Sequence, residues 1–245
     1  MRNVLVGVDE AGRGSLVGDM VIVAYAVHSD SIEALKDLGV RDSKELDSGR
    51  RAELYFSLVK VGVFSASRVE PREIDRYNLN KLEAVKVAET VARLLKYSMI
   101  KVNGGIRVTI DKFGNSSLVK EALARRVTGI RYEVVIEEKA DSKYPEVAAA
   151  SIIAKYLRDS RIKVLRELYG VEGSGYPSDP KTIEWVRKVL SRGERPPIIR
   201  YSWYTVKKLG GPWIRKKEGA PLSRTLDEFF AKAGGSYGER ESNVR

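Results

Sequence analysis

Four carboxylates stand where they can act together. Asp9 and Glu10 are adjacent in DEAGRG (residues 9–14), at the end of the apolar run VLVGV. Asp111 closes a second apolar run, IRVTID, and Asp141 lies in the loop EEKADSKYP ahead of an Ala-rich stretch. Adjacent acids at the end of a buried strand raise each other's pKa, and divalent cations remove that penalty. Two metals ~3.5–4 Å apart can activate a water and stabilise the leaving oxygen of a phosphodiester, and four carboxylates leave such a pair about neutral. Oxygen-only donors select Mg2+ or Mn2+ over Zn2+. Taken alone, each acid reads as a solvated turn residue or a helix cap. Three acidic positions at strand ends or helix starts of one mixed sheet, however, can converge on one edge of it.

The rest of the composition narrows the chemistry. The chain has 245 residues, enough for one large domain or one domain with an appendage. It has no Cys, which excludes disulfides, thiol nucleophiles and Cys-ligated metal sites. One His, His28, excludes a His–His acid/base pair and leaves a Ser-His-Asp triad a single candidate base. His28 ends a predicted strand with no acidic or Ser partner nearby in sequence, and reads as structural. The net charge of +11 points to a polyanionic partner. Between residues 181 and 217 eleven Lys or Arg face only two acids, and all three Trp (Trp185, Trp203, Trp213) lie in the same window. Cations interleaved with aromatics suit a groove that tracks phosphates, although the rings suit a small helical core as well. The longest apolar stretch, residues 20–27, is far short of the ~20 needed to span a bilayer. With no export signal at the N-terminus, the expectation is a soluble cytoplasmic protein.

The elements that must position the acids follow from periodicity. Residues 3–9 and 19–28 read as strands flanking a Gly-rich turn, 31–38 and 49–58 as helices, and 59–69 as a third strand. Residues 79–97 form a long amphipathic helix with Leu82, Val85, Ala88, Val91 and Leu95 on one face. Strand 105–111, helix 116–126, strand 131–137 and a long helix over 144–168 complete a mixed sheet with helices on it. After Gly170 the pattern is helical, with Pro180 near one helix start and Pro196–Pro197 ending it. The expected units are residues 1–170 (catalytic), 171–217 (a basic, aromatic helical extension) and 218–245 (a polar tail).

Several motifs resemble ribonuclease HII, especially the archaeal type. They are GVDEAGRG at 7–14, DSKEL at 42–46, ADSKYPEVAAASIIAKYLRD at 140–159, GYPSDP at 175–180 and YSWYTV at 201–206. The resemblance covers about residues 3–210. It implies an α/β ribonuclease H-like fold: a five-stranded mixed sheet flanked by helices, with a C-terminal helical subdomain. It also implies cleavage of the RNA strand of RNA/DNA hybrids and incision 5′ of single ribonucleotides in duplex DNA, leaving 5′-phosphate and 3′-hydroxyl ends. The family's catalytic and metal-binding acids fall on Asp9, Glu10, Asp111 and Asp141, for Mg2+ or Mn2+. Its GRG motif falls on Gly12, Arg13 and Gly14, where glycines let main-chain groups approach a ribose 2′-hydroxyl. Tyr176 matches the tyrosine that packs at the RNA–DNA junction. Lys44, Lys143, Ser151 and Lys155 suit phosphate contacts. Lys44 between Asp42 and Glu45 equally suits a surface salt bridge, and Ser151 a small core position.

The chain departs from the family at Ser15 and Asp19, where the family usually has proline. The expected effect is two looser turns and an added negative charge near the acids. In the tail, Leu226, Phe229 and Phe230 have i, i+3, i+4 spacing that resembles the motif docking repair enzymes into the sliding clamp PCNA, with Ser223 where that motif normally has Gln. The resemblance also implies a monomer. Two rivals are a generic ribonuclease H-fold nuclease acting on hybrids or branched DNA, and a non-catalytic hybrid-binding protein. Four acids beside a phosphate groove argue against the latter.

Overall fold

The computed structural model describes residues 2–40, 46–97, 100 and 102–212; Lys44, Trp213 and the tail residues Leu226, Phe229 and Phe230 lie outside them. Five strands, β1 (Val4–Ala11), β2 (Met20–His28), β3 (Val63–Val69), β4 (Ile106–Asp111) and β5 (Glu133–Glu137), form one sheet in the order β3-β2-β1-β4-β5. β1 pairs antiparallel with β2 and β2 with β3, whereas β1–β4 and β4–β5 are parallel. This is the mixed sheet that three early strands followed by alternating helices imply.

Among the described residues the helices are α1 (Ile32–Asp37), α2 (Ser48–Val61), α3 (Pro71–Arg76), α4 (Leu79–Tyr97), α5 (Ser116–Arg126), α6 (Ala140–Lys143), α7 (Pro145–Tyr169), α8 (Pro180–Ser191) and α9 (Tyr204–Lys208). None is long and apolar enough to cross a membrane. One sheet face carries α4 and α5: Val4, Val6, Val8, Met20, Ile22 and Ile110 pack with Leu82, Val85 and Val91 there. The other carries α1, α2 and α7: Val21, Val23 and Tyr25 pack with Ala148, Ile152 and Leu58. β2 is covered on both faces, which is why its sequence is an unbroken apolar run rather than an alternation. α7 approaches β1 so closely that a Cβ at Gly7 would fall 2.1 Å from the Glu146 carbonyl oxygen. The Ala-rich face of α7 and the glycine in β1 are two halves of that approach.

Helices α4 and α5 have the expected bounds, and the larger differences arise elsewhere. Residues 59–61 finish α2 instead of opening β3, because the helical ladder runs on until Gly62 donates to the Leu58 carbonyl. β1 runs two residues past Asp9, so both acids lie inside the strand. Helix α3 was not expected, although it carries a full capping box between Glu70 and Glu73 with Pro71 in its first turn. Asp141 sits in the first turn of the short helix α6 rather than in a loop. Beyond Gly170 the chain does not stand apart: Trp185, Val186, Ile199 and Val206 share one apolar cluster with Leu16, Val17, Ile162 and Leu165. His28 pairs with Val4, at the end of β1 away from the acids.

Candidate active site

Strand register brings the acids together. In the parallel β1–β4 pair Val8 lies beside Ile110, so Asp9 and Asp111 emerge at the same level of the sheet. Alternation along each strand sends both toward α7, while Glu10 turns to the α4 face. The Asp111 carboxylate accepts a 2.7 Å bond from the Ala140 N–H, which fixes the start of α6 and places Asp141 next in the chain. Asp9 is buried, and its Oδ1 accepts from the Glu10 N–H at 2.8 Å. Burial raises the Asp9 pKa to about 6, and the neighbouring Asp111 charge adds to it. Ser151 and Lys155, one turn apart on α7, pull it the other way. The buried Ser151 hydroxyl has no well-formed hydrogen bond, yet it lies close enough to Asp9 to favour the ionised form. Glu10 is raised well above the ordinary carboxylate range by burial and by the charges of Asp9, Glu83 and Asp111.

The site thus holds carboxylates under mutual repulsion. One Glu10 oxygen, Oε2, is buried without a hydrogen-bond partner. A buried polar atom in that condition is costly and calls for an absent partner. Divalent cations fit this donor set: the atoms are all oxygen, the charges sum to what two such ions neutralise, and Oε2 needs a ligand. The fit is one of chemistry and charge. Among the described residues no three His, Cys, Asp or Glu side chains are grouped into a ready-made cation cage.

Beside the acids runs the loop 12–19 between β1 and β2. Gly12 has φ +83°, and a Cβ there would lie 2.8 Å from the Asp19 carbonyl oxygen, so the fold itself requires glycine. Gly14 differs, because a Cβ there would meet nothing within 4 Å and no positive φ demands a glycine. Its lack of a side chain leaves space for something outside the protein. The Gly12 N–H donates to the Tyr176 hydroxyl at 3.1 Å. The Tyr176 ring lies under the Arg158 guanidinium, 4.4 Å from its centroid. Gly12 and Tyr176, which sequence motifs alone had paired, are therefore in direct contact.

The Arg13 side chain turns away from the open side. Its Nε donates to both Glu83 oxygens at 3.2 and 3.0 Å, and Nη2 donates to Asn80 Oδ1 at 2.8 Å, fastening the loop to α4. Glu83 is fully buried, and burial raises its pKa to about 7 against the pull of Arg13. Lys143 pairs with Glu137 at 2.8 Å on the exposed end of β5. The two proline replacements behave otherwise than expected. Ser15 is buried and closes its turn with two bonds to the Gly12 carbonyl, from Oγ at 3.0 Å and from N–H at 3.3 Å. Asp19 is held between Arg68 at 3.0 Å and Arg161 at 3.4 Å, which take up its charge. Neither a looser turn at Ser15 nor an uncompensated charge at Asp19 results.

The sequence reading missed Asn80, Glu83, Arg158 and Arg200. Glu83 is legible only as an acid set among buried α4 residues, and Arg200 was counted among the cations of the basic window. Arg200 is in fact fully buried behind the loop, and Trp185 is core. The exposed cations of this part include Lys181, Lys188, Lys207 and Lys208.

Comparison with known proteins agrees with this geometry. The family model described as Ribonuclease HII matches residues 6–206. A ribonuclease HII from Aeropyrum pernix is 51% identical over 227 residues, covering 93% of this chain and 98% of its own length. The crystal structure of the ribonuclease H2 from Pyrococcus horikoshii superposes with a TM-score of 0.72 at 39% identity, over 84% of this chain and 96% of that one. The ribonuclease HII solved in a PCNA complex from Archaeoglobus fulgidus gives 0.71 at 37% identity, over 85% and 97%. With the acids at one sheet edge, the glycine loop beside them and these matches over most of its length, the chain belongs to the ribonuclease HII family, type 2 ribonuclease H endonucleases that cleave the RNA of RNA/DNA hybrids.

Proposed function

We propose that this protein is an Mg2+- or Mn2+-dependent endonuclease that cuts the RNA strand of hybrids. On the same reading it incises duplex DNA on the 5′ side of a single embedded ribonucleotide, leaving 5′-phosphate and 3′-hydroxyl ends. The observation that carries the reading is the placement of Asp9, Glu10 and Asp111 at one sheet edge, beside a glycine loop that Tyr176 props from across the chain.

Asp9, Glu10, Asp111 and Asp141 would hold the cations, which when bound would supply activation of a water and charge stabilisation at the leaving oxygen. The chain's own residues do the rest. Lys155 and Ser151 bias Asp9 toward its ionised, ligating form. The space at Gly14 admits a sugar edge, and main-chain groups there read a 2′-hydroxyl, which is both donor and acceptor. Lys181, Lys188, Lys207 and Lys208 offer charge to a phosphate backbone. No His is required for proton transfer.

Incubation with a duplex carrying one ribonucleotide, mapped at nucleotide resolution, tests the reading. The expected result is one incision 5′ of that nucleotide with Mg2+ or Mn2+, and none with all-DNA duplex or EDTA. Cutting of long hybrids alone leaves the acid site standing and removes the ribose-reading role of residues 12–14. Tight binding without cleavage replaces the enzyme by a hybrid-binding protein.

Leu226, Phe229 and Phe230 are assigned to docking on a sliding clamp, supported by their spacing and by the Archaeoglobus complex. Co-migration of the full chain with PCNA on size exclusion, lost in a Phe229→Ala/Phe230→Ala double variant that still incises, tests the assignment.

A further inference from the structure

One side chain holds the carbonyls of the glycine loop from behind. Arg200 is fully buried and donates Nη2 to the Gly12 carbonyl at 2.7 Å and Nη1 to the Arg13 carbonyl at 2.9 Å. Its Nη2 and Nε also reach the Gly18 carbonyl, at 2.9 and 3.1 Å, and its own N–H donates to the Leu16 carbonyl at 2.9 Å. Among the described residues no carboxylate lies within ion-pair distance of it. Burial lowers its pKa to about 10, so it stays charged at neutral pH. A buried cation satisfied by carbonyls alone is an expensive way to secure a loop that apolar packing would also hold. What the guanidinium adds over apolar packing is control of peptide direction.

A trans peptide unit carries its C=O and N–H on opposite sides, and the described chain contains no cis bond. Drawing the Gly12 carbonyl onto Arg200 therefore turns the Arg13 N–H away from it. Drawing in the Arg13 carbonyl does the same for the Gly14 N–H. The neighbouring donors are already used: Gly12 N–H on Tyr176 and Ser15 N–H on the Gly12 carbonyl. Arg13 N–H and Gly14 N–H make no hydrogen bond within the described chain, and Gly14 borders open space. The Arg13 side chain, tied to Glu83 and Asn80, is drawn to one side.

We propose that Arg200 is a positioning residue that aims the N–H groups of Arg13 and Gly14 outward as a paired donor for the 2′-oxygen of a ribonucleotide. The inference rests on the activity proposed above and assigns its sugar discrimination to a side chain that never touches substrate.

The test compares dissociation constants of the full-length protein, in EDTA, for an all-DNA duplex and for the same duplex with one ribonucleotide. Wild type is expected to prefer the ribonucleotide. In Arg200→Lys, which keeps the charge and loses the fork, that preference falls about tenfold, while affinity for all-DNA duplex stays within about twofold. An unchanged preference with only a lowered melting midpoint overturns the proposal, leaving Arg200 a structural residue. A wild type without preference, and without ribonucleotide incision when metal is added, sinks the proposed function itself, a result distinct from the variant's failure. Should Arg200→Lys lose its cooperative melt, amide hydrogen exchange of the wild type decides. Slower exchange at Arg13 and Gly14 with the ribonucleotide duplex than with all-DNA duplex supports the assignment, and equal exchange overturns it.

Discussion

Replacing Asp9 by Asn is expected to stabilise the metal-free protein while abolishing hydrolysis. The pKa of Asp9 rises from 3.8 to about 6 on folding, mainly through burial, with Asp111 adding to it. Between those two pH values the folded chain binds more protons at this site than the unfolded one, so stability falls as pH rises through the window. Well above pH 6 the ionised carboxylate costs about 3 kcal/mol, a cost that vanishes below pH 3.8. Asn keeps the Oδ1 acceptor for the Glu10 N–H while carrying no charge. Metal-free Asp9→Asn should therefore melt about 6–12 °C above wild type at pH 8, with the gap closing toward pH 4. Added Mn2+ should reverse the order, because wild type gains binding free energy that the variant forgoes. Differential scanning calorimetry at pH 4, 6 and 8, with EDTA or Mn2+, measures all of this. A variant less stable than wild type in EDTA at pH 8, or one that Mn2+ stabilises equally, would refute the electrostatic reasoning.

Other substitutions separate fold from function. Gly14→Ala should melt like wild type, since its Cβ meets no protein atom within 4 Å, yet lose ribonucleotide incision. Gly12→Ala should cost about 1–3 kcal/mol of stability, from φ +83° and the 2.8 Å approach to the Asp19 carbonyl; paired melts and incision assays distinguish the two glycines. Tyr176→Phe removes the acceptor of the Gly12 N–H, and about a tenfold lower kcat/KM is expected, with a melting midpoint lowered by a few degrees through the unpaired N–H. Glu83→Gln removes a negative charge that raises the pKa of Glu10. The acid limb of the pH–rate profile should move to lower pH, and an unmoved limb would exclude Glu83 from the site's electrostatics.

What the sequence reveals of this protein depends on how far apart the interacting residues are. α4 and α5 keep their predicted bounds because one apolar stripe or one cap defines each locally. Asp111 is readable as the end of an apolar strand and Asp9 as an acid following an apolar run, and a mixed sheet with helices on it follows from the element order. The parts that hold the loop are not local. Gly12 meets Tyr176 across 164 positions and Arg200 across 188. No period or composition encodes such a contact, and a buried arginine looks like any other cation when charges are only counted. Glu83 is hidden for a related reason: its helix is buried on two sides, against the sheet and against α5, so a polar residue on it cannot be assigned a direction from spacing.

Glu83 also explains why an arginine can stand one residue beyond Gly12 at all. A guanidinium next to Glu10 favours the ionised carboxylate, but if it settled on Glu10 it would occupy the charge that a divalent cation needs. Both oxygens of Glu83 accept from Arg13, and Asn80 takes a third bond, so the cation is spent inside α4. Arg200 is spent in the same way on three carbonyls. The loop is thus anchored by two arginines whose hydrogen bonds go to Glu83, Asn80 and main-chain carbonyls rather than to Asp9 or Glu10. Breaking the Glu83 anchor should therefore act on metal affinity as well as on the loop: Glu83→Gln lets Arg13 move toward Glu10, and the Mn2+ concentration for half-maximal incision should rise several-fold, beyond what the same substitution does in an Arg13→Ala background. Equal rises in the two backgrounds would show that Glu83 acts only through its own charge, and that Arg13 never competes for the acids.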